Sequence, residues 1–423
     1  DLTVTGATSM YDGGTLTCNA STVSLGSTYG SDYGLYVRDG ATFNGGTGPH
    51  TMGSINVANE AGASLTLTTH VDGTTLDGGM YGAAGLFNCG ASSGITSTSS
   101  LVVLATAQSN THYNFHPLDK LNDVTVNSSG KTIRINDANA TINGDLTITA
   151  GTLTTLDDDD STSRNLTVIG AISGAGTLTC NGSTIANGST SSGAPDLAFS
   201  GTLNLDTCTF NYYNGDISNF DLGSTTVGTN TSTVNIIAMN TFTARNTQLY
   251  GTGGGNLHHL TFSRHASYTG VFNLDGDTTI TGDLTIGVGS TLSTNGGDQG
   301  DNKALTVGSG NLTASLGHVS VSGILLCNNS VVEIGSLKIE TGGSMTAPNA
   351  KLEVRSESDT GYNLENDGTF IHGGNQIQIT GPTDGHAYIK GFTSSHPLSN
   401  LYINNAGSGM QTQMLGALEI EGY

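Results

Sequence analysis

Two acidic loops contain the residues whose type and spacing best suit metal binding. Asp157 opens a run of four aspartates, 157–160, and an equivalent loop later in the chain contains Asp298 and Asp301. Carboxylates clustered with backbone oxygens are the ligands that Ca²⁺ prefers. The candidate calcium ligands are therefore Asp157, Asp159, Asp298 and Asp301. The alternative is a solvated turn in which Arg164, or Lys303 in the second loop, reduces the repulsion between carboxylates.

Histidine recurs at related places, but without the spacing of a metal or catalytic motif. The tripeptide His-Pro-Leu occurs at 116–118 and at 396–398, and His258 and His259 lie near the corresponding place between them. Proline holds the residue before it in an extended conformation. We therefore expect these histidines to mark corners or strand entries.

The chain offers little for catalysis. Glu60 is the only glutamate before Glu333, so paired carboxylates would depend on aspartate. We expect a protein without enzymatic activity, catalytic residues or a cofactor, with calcium as the one cofactor alternative. A polysaccharide depolymerase that uses carboxylate pairs on one face of its fold is the enzymatic alternative.

Charge and cysteine content exclude several classes of protein. The formal net charge is −22, with only 12 Lys plus Arg, which disfavours a nucleic-acid partner because phosphates need clustered basic residues. The sequence contains no apolar run of about 18 residues, so it predicts no membrane-spanning helix. The five cysteines form no Cys-x-x-Cys pair, so we expect them to be small buried side chains.

A long-period repeat is the main signal for architecture. The segment 144–148 (GDLTI) returns at 282–286 and, in altered form, at 416–420 (GALEI). Leu146 and Leu284 are 138 residues apart, and Leu284 and Leu418 are 134 apart. We therefore predict units at 1–143 (partial), 144–281 and 282–415, with 416–423 opening a further unit. Because both ends fall inside a unit, we expect the chain to be part of a longer polypeptide.

Inside each unit the sequence predicts short strands separated by turns. Triplets such as Val124-Thr125-Val126 alternate apolar and polar residues, and Gly, Asn, Asp or Ser follow them. The 62 glycines suit corners that need positive φ. The prediction is an all-β parallel β-solenoid with about 20–25 residues per coil. Tandem β-sandwich domains are the alternative.

Aromatic residues make up only 6% of the chain, and some of them lie close together in short segments. Tyr212 and Tyr213 lie in one such segment, and residues 29–36 form another. Tyrosine combines an apolar ring with a polar hydroxyl, which suits contact with sugars. Tyr212 and Tyr213 are therefore candidate binding residues, and packing at a coil corner or subunit interface is the alternative.

The segments 121–130 (LNDVTVNSSG) and 142–153 (INGDLTITAGTL) also resemble low-complexity repeats of two groups of proteins. These are large virion structural proteins of marine tailed bacteriophages and bacterial surface adhesins. The resemblance implies a β-helical fibre, displayed on a virion or outside a cell, and no catalytic residue. We therefore expect a non-enzymatic structural or adhesive rod, as a phage fibre or a capsid or tail appendage. The alternative is a bacterial adhesin or autotransporter passenger. The expected partners are further copies of the chain or other virion or surface proteins, with host glycans as a further candidate.

Overall fold

The computed structural model places most of the chain. It describes residues 1–423 except 27–32, 68–72, 79–84, 98–99, 107–110, 158–160, 192, 196, 216–219, 223–224, 229–230, 249–256, 275, 295–302, 308–317, 328–330, 356–362, 374–375, 381–385, 405–410, 416–417 and 421–423. The described residues form 46 strands and no helix. They divide into two compact units. Unit 1 comprises Asp1–Ser189 and Leu197–Thr209, and unit 2 comprises Thr190–Asp196 and Phe210–Tyr423.

The strands of unit 1 are short, most of them three or four residues long. They are β1 (Leu2–Val4), β2 (Thr8–Met10), β3 (Thr15–Thr17), β4 (Val23–Leu25), β5 (Leu35–Val37), β6 (Thr42–Asn44), β7 (His50–Met52), β8 (Ile55–Val57), β9 (Ser64–Thr66), β10 (Thr74–Leu76), β11 (Phe87–Cys89), β12 (Gly94–Thr96), β13 (Leu101–Leu104), β14 (His112–His116), β15 (Asp123–Ile135), β16 (Ala140–Ile142), β17 (Leu146–Thr154), β18 (Leu166–Val168), β19 (Ile172–Gly174), β20 (Thr177–Thr179), β21 (Thr184–Asn187), β22 (Ala198–Phe199) and β23 (Thr202–Asn204).

Unit 2 likewise consists of short strands. From Phe210 onwards its strands are β24 (Thr209–Asn214), β25 (Phe220–Asp221), β26 (Thr226–Val227), β27 (Thr233–Ala238), β28 (Phe242–Gln248), β29 (His259–Arg264), β30 (Gly270–Leu274), β31 (Thr278–Ile280), β32 (Leu284–Ile286), β33 (Ser290–Ser293), β34 (Leu305–Val307), β35 (His318–Val321), β36 (Ile324–Leu326), β37 (Val331–Ile334), β38 (Ser336–Ile339), β39 (Ser344–Thr346), β40 (Lys351–Arg355), β41 (Leu364–Asn366), β42 (Thr369–Ile371), β43 (Ile377–Thr380), β44 (His386–Lys390), β45 (Leu401–Asn404) and β46 (Gln411–Leu415).

Strands in unit 1 pair in parallel with strands one coil away, and β14 pairs in this way with β15, its neighbour in sequence. The first strands of successive coils pair in parallel, as in β1 with β4, β4 with β7 and β7 with β10. Second strands do the same, as in β2 with β5 and β5 with β8, and third strands likewise, as in β3 with β6 and β6 with β9. Three parallel strand columns in one chain define a parallel β-solenoid with three strands per coil, which confirms the predicted fold class.

Unit 2 is built by the same rule. Its three columns include β29–β32–β35–β38, β30–β33–β36–β39 and β31–β34–β37–β40, all parallel. Paired positions are 18 residues apart between Val319 and Leu337 and 35 apart between Leu284 and Val319. This range is wider than the predicted 20–25 because strand pairing fixes only the strands, and the connections between them differ in length.

Alternation along each strand places apolar side chains inside the coils. In Leu284–Ile286 the outer two residues are buried and Thr285 is partly exposed, and Leu146, Leu166 and Leu305 are equally inaccessible. Aromatic rings pack against one another within the core. The ring centroids of Phe262 and Phe272 are 4.8 Å apart, and the two rings are tilted. All five cysteines are buried and unbridged, which confirms their predicted burial.

Aspartate and asparagine side chains join successive coils where strands begin. Asp123 Oδ1 accepts a hydrogen bond from Asp145 N at 2.8 Å, and Asp145 Oδ1 accepts one from Ala171 N at 2.7 Å. The same coil-to-coil connection recurs from Asp1 to Thr22, Asn139 to Asn165, Asn165 to Thr184, Asp277 to Ala304, Asp283 to His318 and Asn363 to Tyr388. We call these contacts the Asx connections.

The Asx connections explain the Gly-Asp pair at the start of the repeated segment. A Cβ on Gly144 would lie 2.0 Å from Asp123 Oδ1, and a Cβ on Gly170 would lie 2.2 Å from Asp145 Oδ1. Glycine at these two positions leaves room for the acceptor side chain. In the second copy His259 takes the place of Asp123, since Asp283 N donates to His259 Nδ1 at 3.0 Å, and Gly282 again precedes the donor.

The repeat also appears in the pairing of its landmark leucines. Leu121 forms an isolated parallel bridge with Ile142, Leu257 with Ile280, and Leu398 with Ile420. Ile420 thus pairs as Ile142 and Ile280 do, which precede the Gly-Asp-Leu segment, and not as Ile148 and Ile286, with which the sequence repeat aligned it.

Pairing also runs across the predicted unit boundaries. Val124 pairs with Leu146 across 143/144, and Leu260 pairs with Leu284 across 281/282. The repeats therefore do not fold as separate sandwich domains, and that alternative is wrong. The exact limits of the repeat units stay predictions.

Truncation of Leu325 tests the inward and outward assignment within one strand. Leu325→Ala removes a side chain that is 1% exposed, whereas Ile324→Ala removes its neighbour, which is 42% exposed. We expect Leu325→Ala to lower the free energy of unfolding by about 2–5 kcal/mol and Ile324→Ala to change it by no more than about 0.5 kcal/mol. Urea denaturation of the two variants measures both values. Equal losses would contradict the assigned orientation of β36.

Substitution of Asp145 tests the Asx connections. Asp145→Ala leaves Ala171 N without its acceptor, so we expect a loss of about 0.5–1.5 kcal/mol in the free energy of unfolding. Asp145→Asn keeps a side-chain oxygen at the same place, so its free energy of unfolding should fall clearly less than that of Asp145→Ala. Urea denaturation and amide hydrogen exchange at Ala171 report the two effects. Faster exchange in both variants alike would argue that the carboxylate acts through its charge and not as an acceptor.

Candidate functional sites

The first acidic loop is closed at its base by a short antiparallel contact. Leu156 bridges Ser163, and Asp157 N donates to Thr162 O at 2.8 Å. The side chain of Asp157 is only 4% exposed, and Arg164 Nε donates to its Oδ2 at 2.6 Å while Arg164 Nη2 contacts the same oxygen. The predicted calcium ligands Asp159, Asp298 and Asp301 lie outside the described residues.

The Asp157–Arg164 ion pair limits what the first loop can bind. A calcium ion on Asp157 Oδ2 would have to displace the Arg164 guanidinium. No group of three or more His, Cys, Asp or Glu side chains in the described part of the chain is arranged to hold a metal ion. Calcium binding at Asp157, Asp159, Asp298 and Asp301 stays a prediction.

The predicted aromatic binding residues differ in exposure. Tyr212 is fully buried, its hydroxyl donates to Pro195 O at 3.0 Å, and its ring packs edge-on against Phe220 at 5.2 Å. Its ring face is therefore not available for a sugar. Tyr213 points to the other side of β24 and is partly exposed, so it remains the candidate of the two.

The histidines take structural positions. His116 ends β14, and Leu118, two residues later, has a φ of +52°, so the segment 116–118 forms a corner. His258 Nδ1 lies 3.0 Å from Thr281 Oγ1, and burial, with a smaller contribution from His259, lowers the pKa of His258. His396 N donates to Thr393 O in a turn. These placements agree with the expected corner and strand-entry roles.

A groove lies along one corner of unit 1, and the sequence did not predict it. It has a volume of about 420 Å³, and its polar lining includes Asn56, Asn59, Asn88, His116 and Asp137. We call it the corner groove. It was missed because Asn56, Asn88, His116 and Asp137 are separated by 32, 28 and 21 positions in sequence and come together only when strands of successive coils pair.

The corner groove carries little charge at its centre. His116 Nδ1 donates to Asn88 Oδ1 at 3.1 Å, and burial lowers the pKa of His116, with Asp137 partly opposing the shift. The Cys89 thiol donates to His116 O and Pro117 O, both at 3.3 Å, and burial raises the pKa of Cys89 to about 12. Imidazole and thiol are therefore both neutral near pH 7. Asp137 is the charged group at the rim, with its side chain 64% exposed.

An aromatic cluster lies on the same corner, nearer the start of the chain. The Arg38 guanidinium lies over the Tyr11 ring at 4.9 Å and near the Tyr36 ring at 5.7 Å. The rings of Tyr33 and Tyr36 are 5.6 Å apart. Tyr11 is 44% exposed, and the Arg38 side chain is 40% exposed. Of the aromatic segment 29–36, residues 29–32 lie outside the described part of the chain.

A serine pattern in the sequence has no catalytic setting in the fold. Residues 90–94 (GASSG) match the letters Gly-x-Ser-x-Gly, which in hydrolases place a nucleophile on a sharp turn from a strand into a helix. Here the segment is a turn that leads into β12, and Ser92 N donates to Asn59 Oδ1 at 2.8 Å. The segment therefore serves as a coil corner.

Comparison with known proteins adds little to this geometry. The chain matches no protein-family model and no curated protein. It is similar to the crystal structure of a TibC-catalysed hyper-glycosylated fragment of TibA, residues 55–350, at 12% identity and a TM-score of 0.28, over 98% of this chain and 99% of that one. A TM-score this low supports no conclusion, so the β-solenoid assignment rests on the strand pairing described above. Within the described residues, no helix has the length and apolar character needed to cross a membrane.

Removal of Arg164 tests the ion pair in the acidic loop. Arg164→Met removes the guanidinium that pairs with the buried Asp157 carboxylate, so we expect a loss of about 1–3 kcal/mol in the free energy of unfolding. The double variant Asp157→Asn/Arg164→Met should recover part of that loss. Urea denaturation with and without calcium measures both effects. If calcium restores the full stability of Arg164→Met, Asp157 can serve as a calcium ligand. If Arg164→Met is as stable as the unsubstituted protein, the ion pair has no structural role.

Proposed function

We propose that the chain is a non-enzymatic structural and adhesive segment of a fibre or appendage displayed outside a cell or on a virion. The observation that carries this proposal is the parallel pairing of coil on coil within each unit, which crosses the predicted repeat boundaries at 143/144 and 281/282. Such a ladder supplies stiffness through backbone hydrogen bonds and leaves its outer faces free to vary.

Surface chemistry supports external display. Outward positions such as Thr147, Thr167 and Thr285 are uncharged and polar, which keeps a β-surface hydrated. The net charge of −22 makes copies of the chain repel one another except where a specific contact forms. The partners proposed are other copies or other proteins of the same surface, together with host glycans, and not nucleic acid.

The resemblance of 121–130 and 142–153 to phage virion repeats favours a phage fibre or a capsid or tail appendage. A bacterial adhesin or autotransporter passenger of the same fold is the second candidate, because the same resemblance extends to surface adhesins. Both candidates place the chain outside the cytoplasm, and they differ in which particle carries it.

Immunogold electron microscopy tests the proposed location. Antibodies raised against the purified chain should label external filaments, either on virions or on cells of the organism that encodes it. Label on virions supports the phage fibre, and label on intact cells supports the adhesin. Label confined to the cytoplasm would overturn the proposal.

An activity assay tests the non-enzymatic part of the proposal. The purified chain, incubated with capsular or cell-wall polysaccharide, should release no new reducing ends beyond a boiled control. Sustained release would support the polysaccharide depolymerase instead.

A further inference from the structure

The geometry points to a binding track for a neutral polysaccharide along one corner of unit 1, from the Tyr11–Tyr36–Arg38 cluster to the corner groove. The inference rests on the proposed adhesive function and deepens it, since it names the surface and the chemical class of the partner.

Strand pairing places the track's residues in one outward column. Tyr36 pairs with Asn56, Asn56 with Asn88, and Asn88 with His116, each on the next coil of the second strand column. All four side chains are partly exposed. With coils about 4.8 Å apart, the column extends over roughly 14 Å. The track is therefore linear and repeats at a fixed interval, which suits a polymer better than a compact small molecule.

The aromatic end of the track offers ring faces at a position fixed by other contacts. Arg38 lies between Tyr11 and Tyr36, and its Nε donates to Asp39 Oδ2 at 2.8 Å. Asp39 N in turn donates to Glu60 Oε2 at 2.7 Å on the next coil. The rings are thereby held in place before a ligand arrives, which reduces the entropy lost on binding. The apolar face of a pyranose ring can pack on such a surface.

The other end of the track offers hydrogen-bonding groups that match hydroxyls. Asn56 and Asn88 each carry an amide donor and a carbonyl acceptor, and the Asn56 side chain makes no hydrogen bond within the described residues. The groove is also lined by small residues, namely Gly90, Ala91 and Ala138, which leave space for a ligand. A sugar hydroxyl can donate and accept hydrogen bonds, so a carboxamide can bind it either through its oxygen or through its NH₂ group.

Charge favours a neutral polymer over an anionic one. Asp39, Glu60 and Asp137 surround the track, Arg38 is paired with Asp39, and the chain as a whole carries −22. An anionic polysaccharide would meet repulsion along the whole corner. Binding to a neutral polymer should therefore depend little on ionic strength.

Affinity electrophoresis tests the track. The full chain is run in native gels that contain dextran, mannan, galactan or starch, with alginate as the anionic comparison. We expect retardation in at least one neutral gel, unchanged by added salt, and none in alginate. Tyr36→Ala should weaken that binding by about tenfold, and Asn56→Ala should weaken it measurably, whereas Tyr36→Phe should keep it.

The matched control is Tyr402→Ala, which removes a 49% exposed tyrosine from unit 2 and should leave retardation unchanged. Thermal melting of each variant separates lost binding from lost folding. Lack of retardation in all four neutral gels, stronger binding to alginate, or equal loss with Tyr402→Ala would each overturn the track. External immunogold labelling would stand in each of these cases, so failure of the track is distinguishable from failure of the proposed function.

Discussion

The parallel hydrogen bonding of each coil to the next is the constraint on which the rest of the structure depends. A strand of three residues, such as Leu166–Val168, cannot form a stable sheet alone, and here it gains partners on both sides, Ala140–Ile142 and Ile185–Asn187. Because each coil buries its apolar residues only against its neighbours, stability is distributed along the stack and no single element forms the core. Side chains at equivalent positions must then satisfy the same requirement coil after coil, which is why the sequence repeats.

The Asx connections extend that constraint to the corners. Backbone pairing ends where a strand ends, and the first amide of the next strand needs an acceptor from the preceding coil. Asp123 and Asp145 supply it through a side chain, so a corner need not adopt strand geometry to be connected. Corners are thereby free to differ in length, and coils of 18 and 35 residues can follow one another in the same column. Part of the chain's acidic character therefore has a structural origin.

The fold was predictable because its signal is local and repeated. The alternation in Val124-Thr125-Val126 reflects a requirement that recurs from coil to coil, and the glycine before Asp145 returns before Asp283, so a single sequence displays both signals more than once. Contacts that join different coils were less accessible. The burial of Tyr212 has no repeated pattern, and the double tyrosine suggested an exposed site. The sequence placed Arg164 among the carboxylates of the acidic loop, but it did not indicate that Asp157 is buried. The corner groove was invisible because Asn56, Asn88 and His116 come together only through the register of three strands.

The same logic bears on where a solenoid can acquire a specific surface. Inward positions are constrained by packing and corners by the Asx connections, but the outward residues of each strand are constrained by neither. In the second strand column of unit 1 one row of paired outward residues is Ser9, Tyr36, Asn56, Asn88 and His116 on successive coils. In the column of unit 2 that contains β38, β41 and β44 a row of paired residues is Lys338, Glu365 and Lys390, where Lys390 Nζ donates to Glu365 Oε1 at 2.8 Å. One scaffold thus presents an uncharged polar column in one unit and a column of alternating charge in the other. Specific recognition in such a protein arises from the order of side chains along an outward column, since the scaffold itself holds each of them at a fixed spacing.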